Sequence, residues 1–262
     1  MNKRGQVTVF VIIGIVLIIL LLLFFFLRDR VSLGPPSQQN IEDQFPQIKE
    51  HIEECLTELA TPRIKQMGLQ GGFIDTPADT FRNQQNNKIS YLCYDIKDQP
   101  YCRSRILRLE YMESELSEYL LQDLQTQCLN IAAFDKPGYD LTRGNLDIKT
   151  TISDDNVLIE ANLPIKITRG GLQAEESEYS ALINVPLGRL HQASRDIVDA
   201  ESITGIFDTV PYSLLKTQLT SRPYVIQKLQ PYPDKLYILK IKDTPSENEE
   251  YIFQFFVEGE PR

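Results

Sequence analysis

The sequence predicts an α+β fold with an N-terminal transmembrane helix, then a helical pair braced by a disulfide, then a mainly antiparallel sheet with one further helix. Three observations carry this reading. Residues 7–27 hold no charge, no proline and a single glycine, Gly14. The first half of the remaining chain repeats apolar residues at helical spacing, and the second half switches to strict alternation.

A helix over 7–27 rises about 1.5 Å per residue and covers roughly the 30 Å of a bilayer's hydrocarbon. Arg28, Asp29 and Arg30 follow it with no A-x-A-like site, so an uncleaved signal-anchor is expected rather than a removed signal peptide. The lipid bilayer is then the partner of 7–27. Residues 1–6 form a short leader, with Lys3 and Arg4 balanced by Arg28 and Arg30. Flanking charge gives only a slight lean towards an inside N-terminus. Gly34-Pro35-Pro36-Ser37 cannot continue a helix and marks a linker over 28–43. An extracytoplasmic domain is expected over 44–262, mostly helical to about 135 and strand-rich from about 145.

Ile48, Ile52, Cys55, Leu56 and Leu59 predict an amphipathic helix over 45–67, stopped at Gly68. Residues 75–88 read as an exposed loop and 91–102 as a short hairpin or tight loop. Met112, Leu116, Tyr119, Leu120, Leu124, Cys128 and Ile131 mark a second helix over 110–131. The period then changes. Residues 146–152 and 157–167 alternate across the turn Ser153-Asp154-Asp155-Asn156, and Arg169-Gly170-Gly171 leads to a third strand over 179–185. Pro164 predicts an edge strand or a bulge. A third helix over 187–201 and strands over 224–229, 235–242 and 251–257 complete the domain.

Four cysteines, Cys55, Cys93, Cys102 and Cys128, allow three connectivities. Cys55 and Cys128 lie in the apolar stripes of two helices, and Cys93 and Cys102 flank a short loop. Local reading therefore favours Cys55–Cys128 with Cys93–Cys102, against an alternative of four buried thiols. Paired cysteines would place the domain in an oxidising space, outside the cytoplasm. A metal site is a poor fit, because no C-x-x-C spacing is present and neither histidine is near a cysteine in sequence.

The chain carries a formal net charge of −9, and residues 1–30 hold four basic residues and one acid, so the remainder carries −12. That balance opposes nucleic-acid binding. No residue set predicts catalysis or a cofactor. His191, Ser194 and Asp196 are close neighbours on one predicted helix, with no G-x-S-x-G elbow. His51 lies on a Glu-rich helix. Asp154-Asp155 reads as a turn device. The tract Glu247-Asn248-Glu249-Glu250 lacks the glycine and spacing of a calcium loop. Gly68-Leu69-Gln70-Gly71-Gly72 reads as a helix C-cap rather than an anion cradle.

Lys3-Arg4-Gly5-Gln6-Val7-Thr8 before an apolar run resembles the N-termini of archaeal type IV pilin-like proteins. The resemblance implies leader cleavage between Gly5 and Gln6 and a helix that packs in a filament core. Phe10 stands where that family carries a glutamate. The domain is similar to single-span membrane proteins of small-genome archaea at Cys55, Gly68–Gly72, Leu116-Ser117-Glu118-Tyr119 and Tyr251-Ile252-Phe253-Gln254-Phe255. That resemblance implies no activity. The expected function is a membrane-anchored extracytoplasmic surface protein with a non-catalytic binding or structural role, engaging a protein partner or copies of itself. A filament subunit and an extracytoplasmic enzyme are the alternatives.

Overall fold

The structure is a computed structural model and describes residues 16–22, 42–84, 86–97, 99–129, 138–219, 224–241 and 250–259. The α+β class and both disulfides are present. The transmembrane helix is not: among the described residues no helix is long and apolar enough to cross a membrane. Of 7–27, only residues 16–22 are described; they are helical and exposed. Hydropathy reports composition and leaves helix length open. The leader, the Gly5–Gln6 junction, Phe10, Gly34-Pro35-Pro36 and residues 247–249 lie outside the described residues.

The first helix, α1 (Phe45–Leu69), buries Ile48, Ile52, Leu56, Ala60, Ile64 and Met67, a row in steps of three and four. After it come β1 (Phe81–Gln84), β2 (Asn87–Tyr94) and β3 (Arg103–Ser104). The segment expected to be an exposed loop at 75–88 thus contains β1 and the start of β2. Its short runs alternate over too few residues to signal a strand. Helix α2 (Leu109–Gln127) buries Met112, Leu116, Leu120 and Leu124.

A four-stranded antiparallel sheet follows, made of β4 (Asp140–Arg143), β5 (Asp147–Ile152), β6 (Val157–Arg169) and β7 (Leu172–Ile183). Strand β6 is central, with β5 and β4 on one edge and β7 on the other. Pro164 falls where the β6–β7 register shifts, so a bulge and not an edge accommodates its missing donor. Helices α3 (Leu187–Thr204) and α4 (Thr209–Leu219) precede β8 (Tyr224–Leu229), β9 (Lys235–Ile241) and β10 (Ile252–Val257). The second sheet runs β1-β2-β10-β9-β8, with β3 also on β2. Its β2–β10 pair is parallel, so strands far apart in the chain share one sheet.

Helices close the edges of the four-stranded sheet. The outward amides of Thr150 and Ile152 on β5 donate to Ser117 Oγ at 3.0 Å and Glu113 Oε1 at 2.7 Å, both on α2. On the opposite edge, Ser180 N of β7 donates to Glu53 Oε1 of α1 at 3.0 Å. An i, i+2 pair of strand amides meets an i, i+4 pair of helix acceptors, which removes a template for strand addition.

Cys55 bonds to Cys128 with Cα atoms 6.1 Å apart, and Cys93 to Cys102 at 5.4 Å. The first ties α1 to the end of α2; the second closes the connection from β2 to β3. Because closure entropy grows with loop length, replacing Cys55 and Cys128 together by serine is expected to cost about 4 kcal/mol, and the Cys93/Cys102 pair about 2.5 kcal/mol. Denaturant unfolding of the two double variants checks that order.

Candidate functional site

The buried stripe of α3 runs Leu187, Leu190, His191, Ser194, Ile197, Val198 and then Glu201, which is 0 % exposed. Helical spacing therefore carries a carboxylate into the core. The sheet opposite supplies its partners. Lys235 and Tyr237 are two apart on β9 and share a face, and Lys228 on β8 pairs directly across from Tyr237. Tyr237 Oη donates to Glu201 Oε1, Lys235 Nζ pairs with Oε2, and Lys228 Nζ lies 3.5 Å from Oε1.

Lys235 is also tied to the end of α3, and Lys228 to the connection that follows it. Lys235 Nζ donates to Gly205 O at 2.8 Å and Lys228 Nζ to Phe207 O at 3.4 Å. Gly205, at φ 70°, is the left-handed C-cap of α3, so the Lys235 cation sits at the negative end of the helix. Burial, reinforced by the Glu201 hydrogen bond, pushes the Tyr237 phenol far up and keeps it protonated. Its ring stacks on Phe255 with centroids 5.5 Å apart.

Glu201 and Lys235 of this cluster line an open cleft of about 610 Å³. Four segments wall it: Tyr101 on the disulfide-closed loop, Thr204–Ile206 at the end of α3, the Tyr232-Pro233 turn, and Glu258-Gly259 after β10. Asp234, 5 % exposed, fastens β1, β2 and the segment after β10 to one another. Its Oδ2 accepts from Arg82 Nη1 of β1 and Tyr91 Oη of β2, both at 2.8 Å, and its Oδ1 from Gly259 N at 3.2 Å. Glu258 N donates to Cys93 O at 2.8 Å, and Asp95 N to Glu258 Oε2 at 2.7 Å.

The residues considered from sequence go elsewhere. His191 is buried; its Nε2 lies 2.7 Å from Leu107 O. Ser194 Oγ donates to the backbone carbonyl of His191 at 2.7 Å, not to its ring, and Asp196 pairs with Lys216 and accepts from Tyr212. No relay forms. Asp154-Asp155 turns the β5–β6 hairpin and holds α3: Arg189 pairs with the Asp155 carboxylate, and its amide donates to Asp154 O. Gly72 N donates to Met67 O at 2.8 Å with Gly71 at φ 72°, a Schellman closure that consumes the amides of the Gly68–Gly72 segment. His51 lies half-buried on α1. Among the described residues no group of three or more His, Cys, Asp or Glu is arranged to hold a metal.

Glu201, Lys228, Lys235 and Asp234 were missed in the sequence. The available signal was Glu201 itself, an acid at the stripe position one turn beyond Val198. No protein-family model, curated protein or solved structure matches this chain.

Glu201→Gln leaves two ammonium groups facing a neutral amide and is expected to cost about 3 kcal/mol. Adding Lys235→Met should restore part of the loss, and a double-mutant cycle by chemical denaturation measures it. His191 is held below its ordinary pKa, chiefly by burial, with Arg195 adding to the effect. The unfolded chain therefore takes up a proton below about pH 6.5 that the folded chain refuses, and stability falls as pH drops through that range. In His191→Gln the pH dependence of the unfolding midpoint between 7.5 and 5 is expected to be shallower.

Proposed function

We propose that this chain is an extracytoplasmic surface protein whose domain binds a protein partner without chemistry of its own. The observation that carries the reading is the state of Glu201 and Lys235, which line the cleft. Glu201 accepts from Tyr237 and pairs with both lysines, while Lys235 also donates to Gly205 O at the end of α3 and Lys228 to Phe207 O in the connection that follows. These groups are committed to one another rather than poised to exchange a proton with a substrate. The walls are cross-tied through Asp234 and the Cys93–Cys102 bond, which suits a preformed binding surface.

The extracytoplasmic placement draws on the cysteines. All four are paired, and such pairing is a mark of oxidising compartments.

Alkylating intact cells before denaturation, then weighing the full-length chain, is expected to show no thiol adducts. Four adducts without added reductant would sink the placement. A photo-crosslinking amino acid in place of Tyr101 should yield discrete protein adducts in cells, while one in place of Leu182, exposed on β7, should not. Absence of adducts at position 101 removes the binding reading.

A further inference from the structure

We infer that the occupant of the cleft is a basic peptide segment of a protein partner, with a lysine or arginine held by Asp95 and Glu258 beside Tyr101 and an apolar neighbour resting on Ile206. The inference rests on the binding reading above and names the chemistry of the partner.

The sign of the cleft comes first. Its charged lining residues are Asp95, Glu201, Glu258 and Lys235. Glu201 and Lys235 satisfy each other, and Lys235 is further bound to Gly205 O. Asp95 and Glu258 remain, held on the same wall by the Asp95 amide that donates to Glu258. Neither carboxylate forms an ion pair among the described residues. A cation seated in the cleft meets the negative charge of both carboxylates.

The shape of the cleft selects the kind of cation. Tyr101 is 42 % exposed and its ring packs closely on Gly205, where a Cβ would lie 2.9 Å from Cδ1. An exposed aromatic ring lining the same cleft as two carboxylates suits an ammonium or a guanidinium. Ile206, also lining the cleft, is 70 % exposed. Exposed Ile203 precedes it on the last turn of α3, and exposed Val210 and Leu214 follow one turn apart on α4. A bare inorganic cation has no use for the exposed Ile206 side chain, whereas a peptide with an apolar residue beside its basic one covers both parts. The charge of −12 beyond residue 30 steers such a segment towards the domain at long range.

The test uses the full-length oxidised chain and three fluorescein-labelled peptides of equal length: alternating Leu and Lys, Leu and Glu, and Leu and Gln. Fluorescence anisotropy near physiological salt is expected to show the Leu-Lys peptide binding at least about tenfold tighter than the others. Asp95→Asn with Glu258→Gln should weaken that binding about tenfold. A control, Glu175→Gln with Glu178→Gln on β7, removes the same charge and should change it less than about twofold. Equal losses in both double variants would show attraction to overall charge and overturn the inference. Preference for the Leu-Glu peptide overturns it as well. If no peptide binds while position 101 still crosslinks, the basic partner is wrong and the binding reading survives. If neither occurs, both fall.

Discussion

The fold depends on one helix face that two sheets must share. Ile48, Ile52, Leu56, Ala60, Ile64 and Met67 of α1 are all buried, each contributing roughly 2 kcal/mol of apolar burial for the larger side chains. That row packs against β7 of one sheet and β2 and β10 of the other, while α2 lies alongside. Near its end α1 comes so close to β10 that a Cβ on Gly68 would sit 2.4 Å from Ile252 O. Tyr251 Oη donates to Ile64 O and Gln254 Nε2 to Leu69 O, both at 3.0 Å, and these bonds fix the last turns of the helix on that strand. With α1 seated, Cys55 faces Cys128.

The acidic composition has an internal use that a count of charges conceals. Glu53, Glu113 and Glu258 each accept from a backbone amide, and Glu115 accepts from two, those of Ile74 and Asp75 at 3.2 and 3.1 Å. These amides lie at sheet edges or in connections, where no strand is available to pair with them, and an unpaired amide is costly once water is excluded. Burial pushes the Glu115 carboxyl up, against the opposing pull of its two amide donors. Carboxylates thus serve the chain as backbone acceptors as well as surface charge.

The cleft follows from the same economy of contacts. The end of α3, the β8–β9 turn, the disulfide-closed loop and the residues after β10 meet because each is tied to a neighbour: α3 through Glu201, the turn through Asp234, the loop through Cys93 and the terminal strand through Glu258. No single tie defines the cavity. Together they hold a mixed polar and apolar surface at one end of the larger sheet.

Local periodicity determined by itself the parts that need only local information. The stripes of α1, α2 and α3, the alternation of β5 and β6, the last three strands and the favoured cysteine pairing all follow from residues a turn or a pleat apart. The same local reading predicted a spanning helix over residues 7–27, whereas among the described residues no helix is long and apolar enough to cross a membrane. It also missed β1 and α4, where the repeat is short or the apolar face is exposed. Tertiary structure alone decided the parallel β2–β10 pair, the Arg82–Asp234 contact and the meeting of Glu201 with Lys228 and Lys235. Their partners come from segments brought together by packing, and sequence spacing carries no record of which distant side chains will face each other. A buried charge is legible as an oddity in a helix stripe; its partners become known only when the opposing sheet is in place.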